Sequence, residues 1–148
     1  MLRPMTPLEA LPPVVIAGVF VALASLLREP ARQKFNAVFV AGAGSVYLNS
    51  GLWPWEFVFT AVMTYCAYRG LGAYRWIGIA WLLHTAWDVV HHALGLPILS
   101  FQPTSSAGCA ITDALIALWF FAGAPSVYDR LKGRSSSGTG SPSGQRAS

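Results

Sequence analysis

The sequence predicts an all-α, membrane-embedded bundle of five transmembrane helices, with the N-terminus outside and the C-terminus cytoplasmic. Three observations carry this. Hydrophobic residues make up 54% of the 148-residue chain and charged residues 11%, with a mean hydropathy of +0.49. A soluble domain carries about 25% charge. The apolar residues gather into five runs. Basic residues fall at every second junction between runs, as a chain that crosses five times requires.

Taken in order, the first element is "PPVVIAGVFVALASLL", Pro12 to Leu27. The preceding segment, residues 1–11, has no basic stretch joined to an apolar core, so a cleavable signal peptide is not expected. The second run is Phe35 to Gly51 and the third Trp55 to Tyr68. Both are short against the roughly 20 residues of a spanning helix, and Trp53-Pro54-Trp55 between them suits an interfacial anchor. The fourth spans Trp76 to Leu99 and the fifth Ala107 to Ala124, completing a five-helix domain over 12–128. Residues 129–148 are polar, Gly/Ser-rich and read as a disordered cytoplasmic tail.

Junction one holds Arg28, Arg32 and Lys34, junction three Arg69 and Arg75, and the tail Arg130, Lys132 and Arg134. Junctions two and four hold no basic residue. This places the basic segments in the cytoplasm. The same division into short clusters argues against nucleic acid as a partner, despite a net charge of +4. Small residues recur at Ala37, Ala41 and Ser45 in the second run and at Ala110 and Ala114 in the fifth, a spacing that lets helices approach closely. Cys66 and Cys109 fall near opposite ends of their runs, too far apart for a disulfide.

The fourth run contains "WLLHTAWDVVHH", with all three histidines and Asp88. On a helix, with His84 at zero, Asp88 lies at about +40°, His91 at about −20° and His92 at about +80°. Ile79, Leu82, Ala86, Val90 and Ala93 take the opposite face. A carboxylate facing lipid costs about 2.5–3.5 kcal/mol, so the polar stripe should face the interior. At about 1.5 Å per residue, Asp88 lies roughly 18 Å from the inner end of its helix and Asp113 roughly 9 Å below the outer face. Cys109 and Thr112 share that level, Glu56 begins the third helix there, and Tyr47 and Asn49 end the second. Four helices thus bring polar residues into the outer half of the bundle.

Asp88, Asp113, His91 and His84 are the catalytic candidates, because an Asp–His pair in a pocket of low dielectric can hold and move protons. Asn49, Glu56, Trp87, Thr104 and Cys109 are the substrate-contacting candidates. Trp81, Trp119, Phe120 and Phe121 are further aromatics that can line an apolar pocket. Imidazole plus carboxylate also suits a metal, leaving open one divalent ion on His84, Asp88 and His91, with Asp113 available to complete the shell. Each residue has a plainer reading as well. Asp88 can pin helices together through a histidine, Glu56 can serve as a first-turn acid, and Asp113 can cap its helix, although Ser105 and Ser106 are better placed to do so.

The segments "FNAVFVAGAGSVYLNSGLWPWE", "TYCAYRGL", "IGIAWLLHTAWDVVHH" and "PTSSAGCAITDALIALWFFAGAPSVY" together resemble an uncharacterised family of small polytopic integral membrane proteins, a domain of unknown function. The resemblance covers Arg32 to Tyr128. It implies a polytopic helical membrane protein and groups His84, Asp88, His91, Cys109 and Asp113 as a set. It implies no activity. The residues themselves point to a membrane-embedded enzyme acting on a hydrophobic small molecule drawn from the lipid bilayer. The alternatives are a proton-coupled small transporter, which would need a homo-oligomer, or an accessory membrane subunit.

Overall fold

A computed structural model describes residues 5–129 and Lys132. Among the described residues five long helices form in chain order: α1 (Leu11–Ala24), α2 (Ala31–Ser45), α3 (Trp55–Gly70), α4 (Tyr74–Ala93) and α5 (Ser105–Phe121), and residues 127–129 are helical again. No strand occurs among the described residues. Helix α4 packs along α5 on one side and α3 on the other, α2 packs on α3 and α4, and α1 closes the bundle against α5. The expected tail over 129–148 falls outside the described residues apart from Asp129 and Lys132.

Four of the five helices are shorter than the apolar runs, and α3 runs two residues past its own, to Gly70. Among the described residues none is long and apolar enough to cross a membrane. Four of the five have 14 to 17 residues and α4 has 20, which is about 21–26 Å and 30 Å of helix. The ends have local causes. Pro30 and Pro54 immediately precede α2 and α3, which begin only after them. Helix α4, expected to reach Leu99, stops at Ala93 because Gly95 turns left-handed at φ 69°. The amide of Leu96 then donates to His91 O at 2.9 Å and that of Gly95 to His92 O at 3.1 Å, which is a Schellman ending. The end of α5 repeats this, with Ala124 N donating to Trp119 O at 2.9 Å and Gly123 N to Phe120 O at 3.0 Å.

Ser105 and Ser106 do not cap α5. Their hydroxyls accept from the backbone amides of Leu99 (3.0 Å) and Ile98 (3.2 Å), folding the α4–α5 loop back over the helix start. At the opposite end, Arg32 is buried and donates to Leu27 O and Ala124 O, both at 2.9 Å, tying the α1–α2 loop to the end of α5.

The buried small residues of α2 are Ala37 and Gly44, with Val40 between them, whereas Ser45 and Gly42 are exposed. The inward face of α2 is therefore offset from the Ala37–Ala41–Ser45 row that the sequence suggests. Gly44 is needed there, because a Cβ at that position would stand 2.5 Å from Met63 Cβ. In α5 the inward line is Ala110, Asp113, Ala117 and Phe120, and Ala114 is only half-buried.

Candidate functional site

The loop between α2 and α3 and the loop between α4 and α5 lie at the same end of the bundle, and the polar side chains collect beneath them. His84, Asp88 and His91 lie on one face of α4 and are all buried, with Asp88 and His91 at 0% exposure, while His92 beside them is half-buried. Leu82, Ala86, Val90 and Ala93 on the opposite face are exposed. Asp113 reaches the same place from α5 and Tyr47 from just beyond the end of α2.

Two polar groups result. In the first, His84 Nδ1 stands 2.7 Å from Asp113 Oδ2 and 3.4 Å from Asp88 Oδ2. Its other nitrogen, Nε2, donates to the carbonyl of Ala43 at 3.0 Å, which sets the ring's orientation. The Tyr47 hydroxyl donates to Asp88 Oδ1. The 2.7 Å approach has the distance of an ion pair without the alignment of a hydrogen bond, so His84 Nδ1, Asp88 Oδ2 and Asp113 Oδ2 are buried without hydrogen-bond partners. Aromatic rings enclose the cluster, with Tyr47, Phe59 and Trp81 each within 5.9 Å of the His84 ring, centroid to centroid.

The second group is a relay into the α2–α3 loop. His91 Nδ1 donates to Trp87 O at 3.1 Å, and Nε2 pairs with Ser50 Oγ at 2.8 Å. Ser50 Oγ donates in turn to Glu56 Oε1 at 2.9 Å. Glu56 is buried in the first turn of α3, where it also accepts from the amides of Leu52 (2.8 Å) and Asn49 (2.6 Å). Both of its oxygens hold the loop. His91 therefore stands apart from His84 and Asp88; Asp113 lies beside them instead, and one donor atom from each of these three residues lies within 4.8 Å of the others. The Tyr47 ring links the two groups, 4.2 Å from His91 and 5.4 Å from His84.

Of the substrate-contacting candidates, Glu56 is buried beneath the α2–α3 loop, and the rest divide between two cavities and the surface. Asp113, Cys109 and Thr104 line a cavity of about 350 Å³ bounded by Pro13 and Ile16 of α1. Thr112 secures this junction by donating to Pro13 O at 3.1 Å. Tyr47, Asn49, Ser50 and His91 line a second cavity of about 420 Å³ under the two loops. Asn49 is exposed and left-handed at φ 71°. Trp87 stacks flat on Phe59 at 4.7 Å, near the exposed apolar groove between α3 and α4. Trp119, Phe120 and Phe121 lie away from the site: Trp119 donates to Pro125 O at 3.1 Å, Phe120 stacks on Tyr74, and Phe121 is exposed. Cys66 and Cys109 are both free thiols.

Three participants escape a residue-by-residue reading of the sequence. Tyr47 was placed at the right level but carried no partner. Ser50 and the Ala43 carbonyl carry no local signal, because their roles depend on how α2 lies against α4.

The fold and site define a class: a small five-helix bundle with a buried His–Asp–Asp cluster beside a largely apolar cavity. The chain belongs to the family of unknown function DUF6010, whose model matches residues 8–126. That span includes both polar groups and, Met5 apart, the lining of both cavities. No curated protein and no solved structure matches the chain.

Proposed function

We propose that this chain is a multi-pass membrane protein and an enzyme acting on a lipophilic small molecule by acid–base or metal-assisted chemistry. The observation that carries the reading is an inverted distribution of polarity. The interior holds Asn36, Glu56, His84, Asp88, His91 and Asp113. The outer faces hold Val14, Val15, Ile16, Val19 and Leu23 of α1, Val58 and Val62 of α3, and Leu82, Val89 and Val90 of α4, all more than 40% exposed. Monomeric soluble proteins rarely display apolar surface on that scale, whereas in a bilayer polar groups turn inward. Helices of 21–30 Å fit the roughly 30 Å hydrocarbon core with little tilt and some local thinning. Basic junctions at alternate ends support an outside N-terminus and a cytoplasmic C-terminus.

In this reading the α1–α5 cavity admits the substrate. Its wall is largely apolar, and of the two acids that line it Glu9 is held by Thr6 while Asp113 is buried beside His84, so Asp113 is the group that exchanges a proton with substrate. In the metal-free form of this chemistry His84 receives or returns that proton through Nδ1, because its Nε2–H is committed to Ala43. Asp88, held by Tyr47 and closed to the cavity, positions His84. An isomerisation, cyclisation or hydrolysis needs such a pair.

The test is incubation of purified protein in liposomes of host lipid extract, with mass spectrometry of the lipid pool. Conversion of one species by wild type and its loss in Asp113→Asn is the expected result. An unchanged pool with both proteins overturns the enzymatic reading. Proton-driven flux that requires Asp88 would put transport in its place.

A further inference from the structure

We infer that His84 Nδ1, Asp88 Oδ2 and Asp113 Oδ2 are three ligands of one divalent transition-metal ion, with its open position facing the cavity that Asp113 shares with Cys109. All three residues are at most 6% exposed, and these three atoms face one another at ion-pair distance, 2.7 and 3.4 Å from His84 Nδ1, without an aligned hydrogen bond. With His84 neutral, two carboxylate oxygens and an imidazole lone pair converge with no donor between them, which is costly in a buried site. A single cation between them satisfies all three at once.

The outer contacts point the same way. His84 donates its far nitrogen to a backbone carbonyl at 3.0 Å, which leaves the Nδ1 lone pair directed at the two carboxylates. Asp88 is fixed through its far oxygen by the Tyr47 hydroxyl. Ligating histidines and carboxylates are oriented from outside in this way. Charge agrees too: two carboxylates and a neutral imidazole sum to about −2, which a divalent ion neutralises where unpaired charge is costly.

Distances are near what coordination needs. Ligands about 2.0–2.2 Å from a metal stand roughly 3.0–3.4 Å apart. The His84–Asp88 separation of 3.4 Å meets this, and the His84–Asp113 separation of 2.7 Å widens with a small rotation of the Asp113 carboxylate. One imidazole with two carboxylates suits Zn²⁺, Fe²⁺ or Mn²⁺.

The inference concerns the site of the enzymatic reading, yet the two fail separately. Metal binding without turnover sinks only the enzyme; turnover by metal-free protein sinks only the metal. The experiment is titration of chelator-stripped, detergent-purified full-length protein with Zn²⁺ and, separately, with Mn²⁺, following bound metal and melting temperature. Saturation at one ion per chain with a rise in Tm is expected. Asp113→Asn and Asp88→Asn should lose that binding, Tyr47→Phe should weaken it about 10- to 100-fold, and Cys66→Ala should bind as wild type. Wild-type protein alone decides the matter where a variant does not fold: no saturable binding of either ion overturns the inference. So does binding that both Asp→Asn variants retain.

Discussion

At the scale of single residues, the site turns on how each buried polar atom is satisfied. Tyr47 donates to Asp88 Oδ1 while both are buried, so Tyr47→Phe leaves a carboxylate oxygen without a donor. The expected loss is about 1–3 kcal/mol of stability. Asp88→Asn weakens the same contact from the other side. The double variant should therefore cost less than the sum of the singles, because the second change removes a contact already lost. Thermal unfolding of the four proteins in one detergent measures this, and strict additivity would show that the contact contributes nothing. The residue scale also shows what the sequence makes legible. The inward stripe of His84, Asp88 and His91 follows from helical period alone, since all three lie on α4. The partnership of His84 with Asp113 was not legible, because it depends on how α5 lies against α4. The separation of His91 into a relay with Ser50 and Glu56 was not legible, because it depends on the path of the α2–α3 loop.

At the scale of elements, helix number and order can be read from the apolar runs, whereas helix ends cannot. Hydropathy continues past Ala93 through Leu94, Leu96 and Leu99, and the left-handed Gly95, with Pro97 two residues on, stops α4. Helix packing shows the same limit. Small residues crowd α2 at Ala37, Ala41, Gly42, Gly44 and Ser45, and period alone does not say which of them meets α3. Gly44 lies against Met63, and Gly42 has open space around it. The two glycines therefore predict opposite outcomes for one substitution. Gly44→Ala forces α2 and α3 apart and should cost about 1–3 kcal/mol by overpacking. Gly42→Ala meets nothing and should gain about 0.5–1 kcal/mol from helix propensity. Denaturation midpoints of the two variants in detergent check the pair. A stabilising Gly44→Ala would mean that α2 and α3 do not pack as described.

At the scale of the whole molecule, the distribution of polarity decides between two solvents for the outer surface. Val19 lies near the middle of α1, 53% exposed, on a helix that is apolar on all sides. If water surrounds it, Val19→Lys moves a charge into solvent and changes stability by no more than about 0.5 kcal/mol. If hydrocarbon surrounds it, the same charge costs about 2.5–3.5 kcal/mol even on the lenient insertion scale. The substitution thus separates the two environments by a factor of at least about 10 in the folded population. The membrane reading predicts that wild type and Val19→Leu stay in the pellet after alkaline carbonate extraction, while Val19→Lys falls in abundance or becomes extractable. Val19 lines neither of the two polar cavities, so the result reports on the surface and not on the site. Should Val19→Lys match wild type and the protein dissolve without detergent, the apolar exterior must be covered by other protein copies rather than lipid. The cavity between α1 and α5 would then open onto an interface instead of a bilayer.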